Sequence, residues 1–524
     1  MAFINITTNN QSRSLRNSTT VIDNWIYIPG NTITGDYTKP YAITSLDDFK
    51  KLFGDHGVDD SKTFNYVTGV LASGLPVIFQ RIVGEYGNTI TSTATKASMT
   101  LSTTSGTGDE QTTTPQVTIY EKYGGTFGND LKITIRDTGT AVWVDVYYKY
   151  TLIETKKLLA YTTDTTAQQK AAQLIKNINS EDYKFERIEI KIAEGRTAAD
   201  FVLPEVENKA FEVQGVDVTD SSIKNWIPAY ISSMTDKLLW QPKFITSGGY
   251  TDPETSTEVP IAKAIKELTL ARQDCRGIID VPSGTPIGEY RDFASKVSYQ
   301  QLSDSQPIPS LAMYGPWQYM QIGDEQDWMP PSYVFLTVLG NDLLRGGKAY
   351  TPKAGLLNGR IYNIIRPEKE MGSSIVDDWQ DDTQVDINPI IRMQSGDYVI
   401  AGNSTLLIPD SVSGENNAFL ESSADLTVIE IRRFVYNIAQ ELQYQYNSVN
   451  AFETFAIRVS KFLDTMRSEG AVYDYEIIDI SSDASPRTLS IELNVQLSPT
   501  IKNIEIFLNV NYGSIEVTTG GGVN

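Results

Sequence analysis

Asp280 closes the apolar run GIIDVP beside Pro282, Ser283 and Gly284, where the carboxyl end of a strand in an open α/β sheet could carry a catalytic carboxylate. No histidine and no second motif stands near it, so the residues favour a loop-capping carboxylate over a general acid or base. The single cysteine, Cys275, reads as a small buried hydrophobe. The single histidine, His56, lies far from it in sequence in a GDHG turn, and no triad is indicated. The Gly-rich stretch YGGTFGND at 123–130 lacks the closing Lys-Ser/Thr of a phosphate loop and the glycine spacing of a dinucleotide fingerprint. A strand pattern follows it, so no helix N-terminus would face a phosphate and a tight turn is the expectation. Asp377, Asp378, Asp381, Asp382 and Asp386 crowd the stretch VDDWQDDTQVD. They do not alternate as calcium ligands around a Gly bend with a closing Glu, so a solvated loop is expected. No catalytic residue, metal site or cofactor emerges.

Composition narrows the class further. With 524 residues the chain is too long for one ordinary core, and 40% hydrophobic content fills two to four domains. Lys and Arg total 44 against 65 for Asp and Glu, a formal charge of -21, which argues against a nucleic-acid surface. No apolar run approaches the roughly 20 residues of a bilayer span, and MAFINITTNN lacks the regions of a secretory signal. A soluble product made in a cytoplasm, without membrane insertion, is expected. One cysteine excludes an intrachain disulfide, leaving packing and hydrogen bonds to hold the fold.

The elements that must position these residues follow in chain order. Residues 1 to about 20, polar apart from the FINI run, read either as a frayed terminus or as an arm that orders on a partner's sheet edge. From Asn24 to Val83 a small α/β unit is expected: WIYIPG as a strand, Ser45 capping LDDFKKLFG, Gly54 stopping it, FNYVTGVLASG as a helix and PVIFQRIV as a buried strand. Thr, Ser and Gly from about 86 to 115 signal a boundary. Strands at VTIYEKY, LKITIRD, AVWVDVYYKY and FERIEIKIA, with a helix at AQQKAAQLIKNIN, give the segment 116–240 an α+β core of its own. The pattern then returns to α/β: IAKAIKELTLARQDC and PPSYVFLTVLGNDLLRGG as helices, GIIDVP as a buried strand.

The run from Leu426 to Val510 holds the strongest periodicity. Ile431, Phe434, Val435, Ile438 and Leu442 make one helical stripe, and Phe452, Phe455, Val459, Phe462, Leu463 and Met466 a second. Asn450 with Glu453 would cap the second helix, and Gly470 would stop it. Leu489, Ile491, Leu493, Val495 and Leu497 alternate along one strand, and Ile504, Ile506, Leu508 and Val510 along another, which either closes its own sheet or joins a neighbour's.

These landmarks fall in an order that resembles the contractile tail sheath proteins of phages and related machines. The resemblance runs through ITSLDDFKKLFG, GVLASGLPVIFQRIV, GGTFGNDLKITI, SGGYTDP, RGIIDVP, YGPWQYM, MPPSYVFLTVLGNDLLRGGKAYTPKAG, INPIIRMQSGDYVIAGNSTL, IEIRRFVYNI, VNAFETFAIRVSKFLDTMRSEGAVYDY and SIELNVQL. It covers nearly the whole chain, and its specificity lies in the order. The Ala-Gly usual after the Pro-Pro-Ser element is Thr337-Val338 here, and the Trp-Gly of the late turn is Ala401-Gly402.

The resemblance implies a mixed α/β and α+β multidomain chain with a tail-sheath-like core domain, outward insertions and extended arms. The expected division is an N-terminal arm at 1–20, a middle α/β domain from 21–85 with 241–365, an inserted outer domain at 86–240, a core domain at 366–502 and a C-terminal arm at 503–524. Phe3, Ile4 and Ile6 and the residues Ile504, Ile506, Leu508 and Val510 would be donated to neighbouring copies, with Leu489, Ile491, Leu493 and Val495 as the acceptor strand. The family's partners would be copies of the chain in stacked hexameric rings, a tail tube protein, and baseplate and tail terminator proteins. Its place would be a virion assembled in a host cytoplasm. Arg432 and Arg433 are candidates to face the tube, or else form a solvated face paired to Glu430. The alternatives are a non-contractile virion or baseplate protein, and a hydrolase or transferase built on Asp280.

Overall fold

Strands with apolar residues on both faces form the centre of the largest sheet, the pattern of parallel strands covered on each side. The computed structural model describes residues 24–500 except 60, 88, 107–110, 253–257, 302–306, 382–383, 410–416, 445–448 and 480–488. Before the insertion the sheet takes β1 (Ile26–Gly30), β2 (Tyr41–Ile43) and β3 (Val77–Arg81). The insertion supplies β4 (Ser98–Ser105), β5 (Thr112–Glu121), β6 (Leu131–Asp137), β7 (Ala141–Tyr148), β8 (Thr151–Ala160), β9 (Ile188–Ile192) and β10 (Val206–Ala210) to other sheets. The chain then returns with β11 (Phe244–Ile245), β12 (Arg276–Ile279), β13 (Leu311–Gly315), β14 (Gln318–Ile322), β15 (Glu325–Met329), β16 (Arg360–Ile361), β17 (Ile364–Pro367), β18 (Asn388–Arg392) and β19 (Tyr398–Ile400).

The large sheet has the order β16-β19-β18-β13-β12-β11-β1-β3-β2. Its six inner strands, β18 to β3, run parallel, while β2, β19 and β16 join antiparallel. It therefore draws on both sides of the insertion, and β18 and β19 carry it past residue 365. A boundary at 365 would cut one sheet. Strands β15, β14 and β17 form a small separate sheet.

Local signals explain several flanking helices. In α1 (Leu46–Phe53) the Ser45 side chain accepts from the Asp48 amide at 3.1 Å, and Phe49 and Phe53 pack on Phe79 with ring centroids 5.2 and 4.7 Å away. Gly54 stops it at φ 103°, where a Cβ would lie 2.4 Å from Ile33. Helices α2 (Thr63–Ala72), α3 (Ala167–Ile178), α4 (Asp220–Ser232), α5 (Pro260–Arg272), α6 (Tyr290–Val297), α7 (Pro331–Leu344), α8 (Gly355–Asn358), α9 (Ser373–Trp379) and α10 (Ser422–Leu442) follow.

The insertion is two antiparallel sheets, β4-β5-β9 and β10-β6-β7-β8, around a shared core that includes Met99, Val117, Ile133, Val144 and Leu174. The Thr/Ser/Gly-rich stretch expected only as a boundary contains β4. Its inward Met99 and Leu101 alternate with threonines and serines, so its mean hydropathy hides a strand.

The chain divides into two contact units at 446/447. The second contains α11 (Val449–Ser468), β20 (Val472–Asp479) and β21 (Ile491–Leu497). The division falls between the two long helices of the Leu426–Val510 run. In α11, Phe455, Val459, Leu463 and Met466 are buried as the stripe predicts, and Gly470 takes φ 82°. Among the described residues no helix is long and apolar enough to cross a membrane.

Candidate assembly surfaces

The residues that suggested chemistry are occupied in structural roles. Asp280 follows β12 directly and caps α7: its Oδ1 accepts from the Ser332 amide at 2.8 Å and its Oδ2 from the Ser332 hydroxyl at 2.5 Å. Burial pushes its carboxyl up to about 7, against the lowering effect of both Ser332 bonds. Cys275 is fully buried, and desolvation pushes its thiol up to about 12, which removes its nucleophilic form at neutral pH. His56 lies in an exposed turn with Nδ1 2.8 Å from Asp55. The acidic stretch departs from the expected solvated loop, because its first part is α9. Trp379 is buried there and stacks on Tyr290 at 4.9 Å, with Ile375 packed against the same core, so an i, i+4 apolar pair orders residues whose neighbours are acids. Asp378 accepts from Arg291 at 3.0 Å and Asp386 from the Ser404 hydroxyl at 3.0 Å; Asp382 lies outside the described residues. Among the described residues no group of three His, Cys, Asp or Glu could hold a metal ion.

The Gly-rich stretch turns tightly, and its role is to join the insertion to the large sheet. Arg81, at the end of β3, is fully buried and donates to four carbonyls: Thr32 at 3.0 Å, Gly35 at 2.9 Å, Tyr123 at 3.2 Å and Gly124 at 2.7 Å. Glu121, also fully buried, accepts from the Gly124 amide and from Thr34 at 3.0 Å. Gly125 has φ 119°, and a Cβ there would sit 2.2 Å from the Ile33 carbonyl. The loop backbone thus closes on a buried guanidinium instead of a phosphate.

Helix α10 is pinned at the N-terminal ends of the parallel strands. Arg276, which opens β12, pairs with Asp425 and donates to Ser310 Oγ and the Ser422 carbonyl, each at 3.0 Å. Lys243, just before β11, contacts Glu430 at 2.6 Å. Arg433 is 7% exposed and donates to the carbonyls of Pro242, Asp274 and Gln241 at 3.1 to 3.3 Å. It is turned into its own chain and does not form the solvated face considered for it. Arg432 stays on the exposed side and reaches Gln273 at 3.1 Å. Ile431 and Ile438 of the predicted stripe are buried, while Phe434, Val435 and Leu442 are half-buried.

In the second unit β20 and β21 pair antiparallel, from Val472 opposite Leu497 to Asp479 opposite Ile491. Helix α11 packs against β20, whose Tyr475 hydroxyl donates to Asp464 at 2.8 Å and to the Ser460 carbonyl at 3.2 Å. Ile491, Leu493 and Val495 are half-buried along one face of β21, alternating with exposed Glu492, Asn494 and Gln496, and Leu489 precedes the strand. Among the described residues this sheet has only these two strands, so each has an edge without a partner strand. A two-stranded sheet is marginal in water and gains from a third strand. Phe3, Ile4, Ile6, Ile504, Ile506, Leu508 and Val510 lie outside the described residues.

Superposition on solved structures decides the fold. A sheath tail protein from Listeria innocua matches with a TM-score of 0.59 at 12% identity, over 94% of this chain and 95% of that one. A sheath tail protein from Desulfitobacterium hafniense matches with a TM-score of 0.54 at 11% identity, over 92% of this chain and 98% of that one. The chain has the sheath tail protein fold. No family model and no curated protein matches the sequence.

Proposed function

We propose that the chain is the sheath subunit of a contractile tail, packed as stacked hexameric rings around a tail tube between a baseplate and a tail terminator. Contraction drives the tube through a host envelope for genome delivery; the chain is a virion component assembled in the host cytoplasm, and its role is structural. The observation that carries this reading is the sheath tail fold over nearly the whole chain. That the β20-β21 sheet has only two strands among the described residues supports the mode of assembly. Segments 3–6 and 504–510 add strands to this sheet in neighbouring copies, with β21 as acceptor. At about four to six backbone hydrogen bonds per strand and roughly 1 kcal/mol net each, one link is modest. Repeated over a lattice, such links keep subunits connected while their faces slide. The work comes from a metastable extended packing that relaxes to a contracted one.

The test is a chain ending at Pro499. It should fold as a monomer and fail to form striated tubes under negative stain, while the full chain forms tubes of two lengths and diameters. Tubes from the truncated chain would sink the donated-strand assignment; full-chain tubes of one invariant length would sink contraction.

A further inference from the structure

A cationic stretch of this acidic chain runs along two sheet edges. Between Asp342 and Glu370 six cations, Arg345, Lys348, Lys353, Arg360, Arg366 and Lys369, stand against one acid, Glu368, in a chain of net charge -21. Lys353 is buried on Asp342 and Arg360 is paired with Asp397. Arg366 has no ion pair among the described residues and lies over the rings of Trp328 and Tyr319 at 4.9 and 5.3 Å. Arg392, on the hairpin beside it, is likewise without an acid and stands 5.9 Å from the Tyr398 ring. β16 ends the large sheet and β17 the small one, and among the described residues neither has a strand on its far side. Leu356 and Leu357 of α8, with Tyr362 and Ile365, are exposed there, Leu357 to 85%. Helix α8 packs on β16 and β19, and Tyr362, Ile365 and Arg392 line one groove, so these side chains share a surface. Sheet edges are ordinarily blunted or covered, and exposed aliphatic side chains among Arg and Tyr are the composition of a protein interface.

The small sheet carries the opposite sign on its other side. β15 is its far edge from β17, and the turn from β14 into β15 presents Asp324 and Glu325. Both are exposed, and neither side chain makes an ion pair or hydrogen bond among the described residues. Asp327, two residues on, is already paired with Lys62. Copies that repeat head to tail bring one side of a subunit to the other side of the next, which is how identical chains close a ring. With a large negative charge on every copy, most pairs of faces repel, and contact is favoured where a cationic edge meets an acidic tip.

We propose that the β17 edge of one copy docks on the β14-β15 hairpin tip of a second copy, with Arg366 and Arg392 facing Asp324 and Glu325, and with Ile365 and Leu357 covered by the contact. The proposal rests on the sheath reading for its repeating contact and names the surfaces that make it. The test is the concentration at which the full chain assembles, measured by sedimentation at low salt. Arg366→Glu with Arg392→Glu should raise that concentration about tenfold or more, and Asp324→Lys with Glu325→Lys should do the same. All four changes in one chain should restore assembly, because the reversed edge then meets a reversed tip. Separately, Ile365→Cys with Glu325→Cys, treated with oxidised glutathione, should give a ladder of multimers, since a head-to-tail contact does not stop at two; Cys275 is buried and stays out of it. Unchanged assembly in either double variant, no recovery in the fourfold one, or a cross-link that is absent or stops at the dimer overturns the docking. An unaltered chain that forms no tubes would sink the sheath reading instead, and the ladder, read on the concentrated chain in solution, would still decide the contact. Circular dichroism checks that the charge variants fold, and the ladder decides where they do not.

Discussion

Replacing Arg81 by Met keeps much of the side chain's volume and removes the guanidinium donors that tie the loop after β1 to the Gly-rich stretch. Four carbonyls lose their partner, two of them in the loop after β1 and two in the Gly-rich stretch. Buried acceptors left open cost about 1–3 kcal/mol each, but a plain sum overshoots because water and relaxation recover part of it. Removing one side of a buried charge arrangement costs about 3–5 kcal/mol, and Arg81→Met should fall in that range. Glu121 supplies the control. Burial raises its carboxyl above the ordinary range, with Arg81 as the leading opposing influence. A carboxylate whose folded pKa is raised contributes stability at low pH and loses it as pH rises through the folded value. Without Arg81 that value climbs further, so the deficit of Arg81→Met should be larger at pH 8 than at pH 5. Adding Glu121→Gln should recover about 1 kcal/mol or more at pH 8 and less at pH 5. The assay is urea unfolding at both pH values, with amide exchange at 123–130 reporting the joint itself. A loss under about 1 kcal/mol, pH-independent behaviour, or unchanged exchange at 123–130 would refute the assignment of Arg81 as the joint.

Asp280 gives a second pH test. Its carboxyl stands at about 7 in the fold, so its contribution is complete below about 4 and lost as pH rises through 7, on the order of 4 kcal/mol over the window. Asp280→Asn should flatten that part of the stability profile between pH 5 and 8, and parallel urea-midpoint curves for the two chains would contradict it. The two neighbouring arginines of α10 should separate in opposite ways. Arg433→Ala is expected to cost about 2–4 kcal/mol in urea unfolding, because three carbonyls lose a buried charged donor. Arg432→Glu should cost under about 1 kcal/mol and act, if this helix meets the tube, on tube-templated assembly measured by sedimentation; equal destabilisation by both would remove the distinction. Cys275 should react with an aromatic disulfide reagent only as fast as the chain opens, so its labelling rate should rise with urea in step with unfolding. Fast labelling in the absence of urea would show that the thiol is accessible.

The parallel strands were legible because burial on both faces leaves no room for polar alternation: WIYIPG, PVIFQRIV and GIIDVP read as strands and are β1, β3 and β12. Ser45, Gly54 and Gly470 were legible because caps are local chemistry. The order of the nine strands was not, since neighbours in that sheet are set by which apolar faces meet across hundreds of residues. β8 and β20 were not legible because neither keeps a period of two: β8 exposes Leu152 and Ile153 beside Thr151, Thr155 and Lys157, and β20 exposes Tyr473, Asp474, Glu476 and Asp479.

The buried cations show where periodicity stops being informative. Arg81 and Arg276 each stand inside or against an apolar run, in PVIFQRIV and DCRGIIDVP, and a charge that a buried strand must carry is a signal of a partner waiting in the fold. That signal was available but did not name the partner, because Asp425 is 149 residues from Arg276 and the four carbonyls around Arg81 come from two separate loops. Arg433 makes the same point from the other side. Arg433 was expected either to face the tube or to lie on a solvated face paired to Glu430, and the solvated face is not what it forms. Its guanidinium meets the carbonyls of Gln241, Pro242 and Asp274, just before strands β11 and β12, so this polar position of the helix is a buried one while the neighbouring Arg432 is exposed. Helix α10 is held to the sheet by charge as well as by its apolar stripe. Its position should therefore be more sensitive to removal of Arg276 or Asp425 than to shortening Phe434 or Val435, whose side chains are only half-buried.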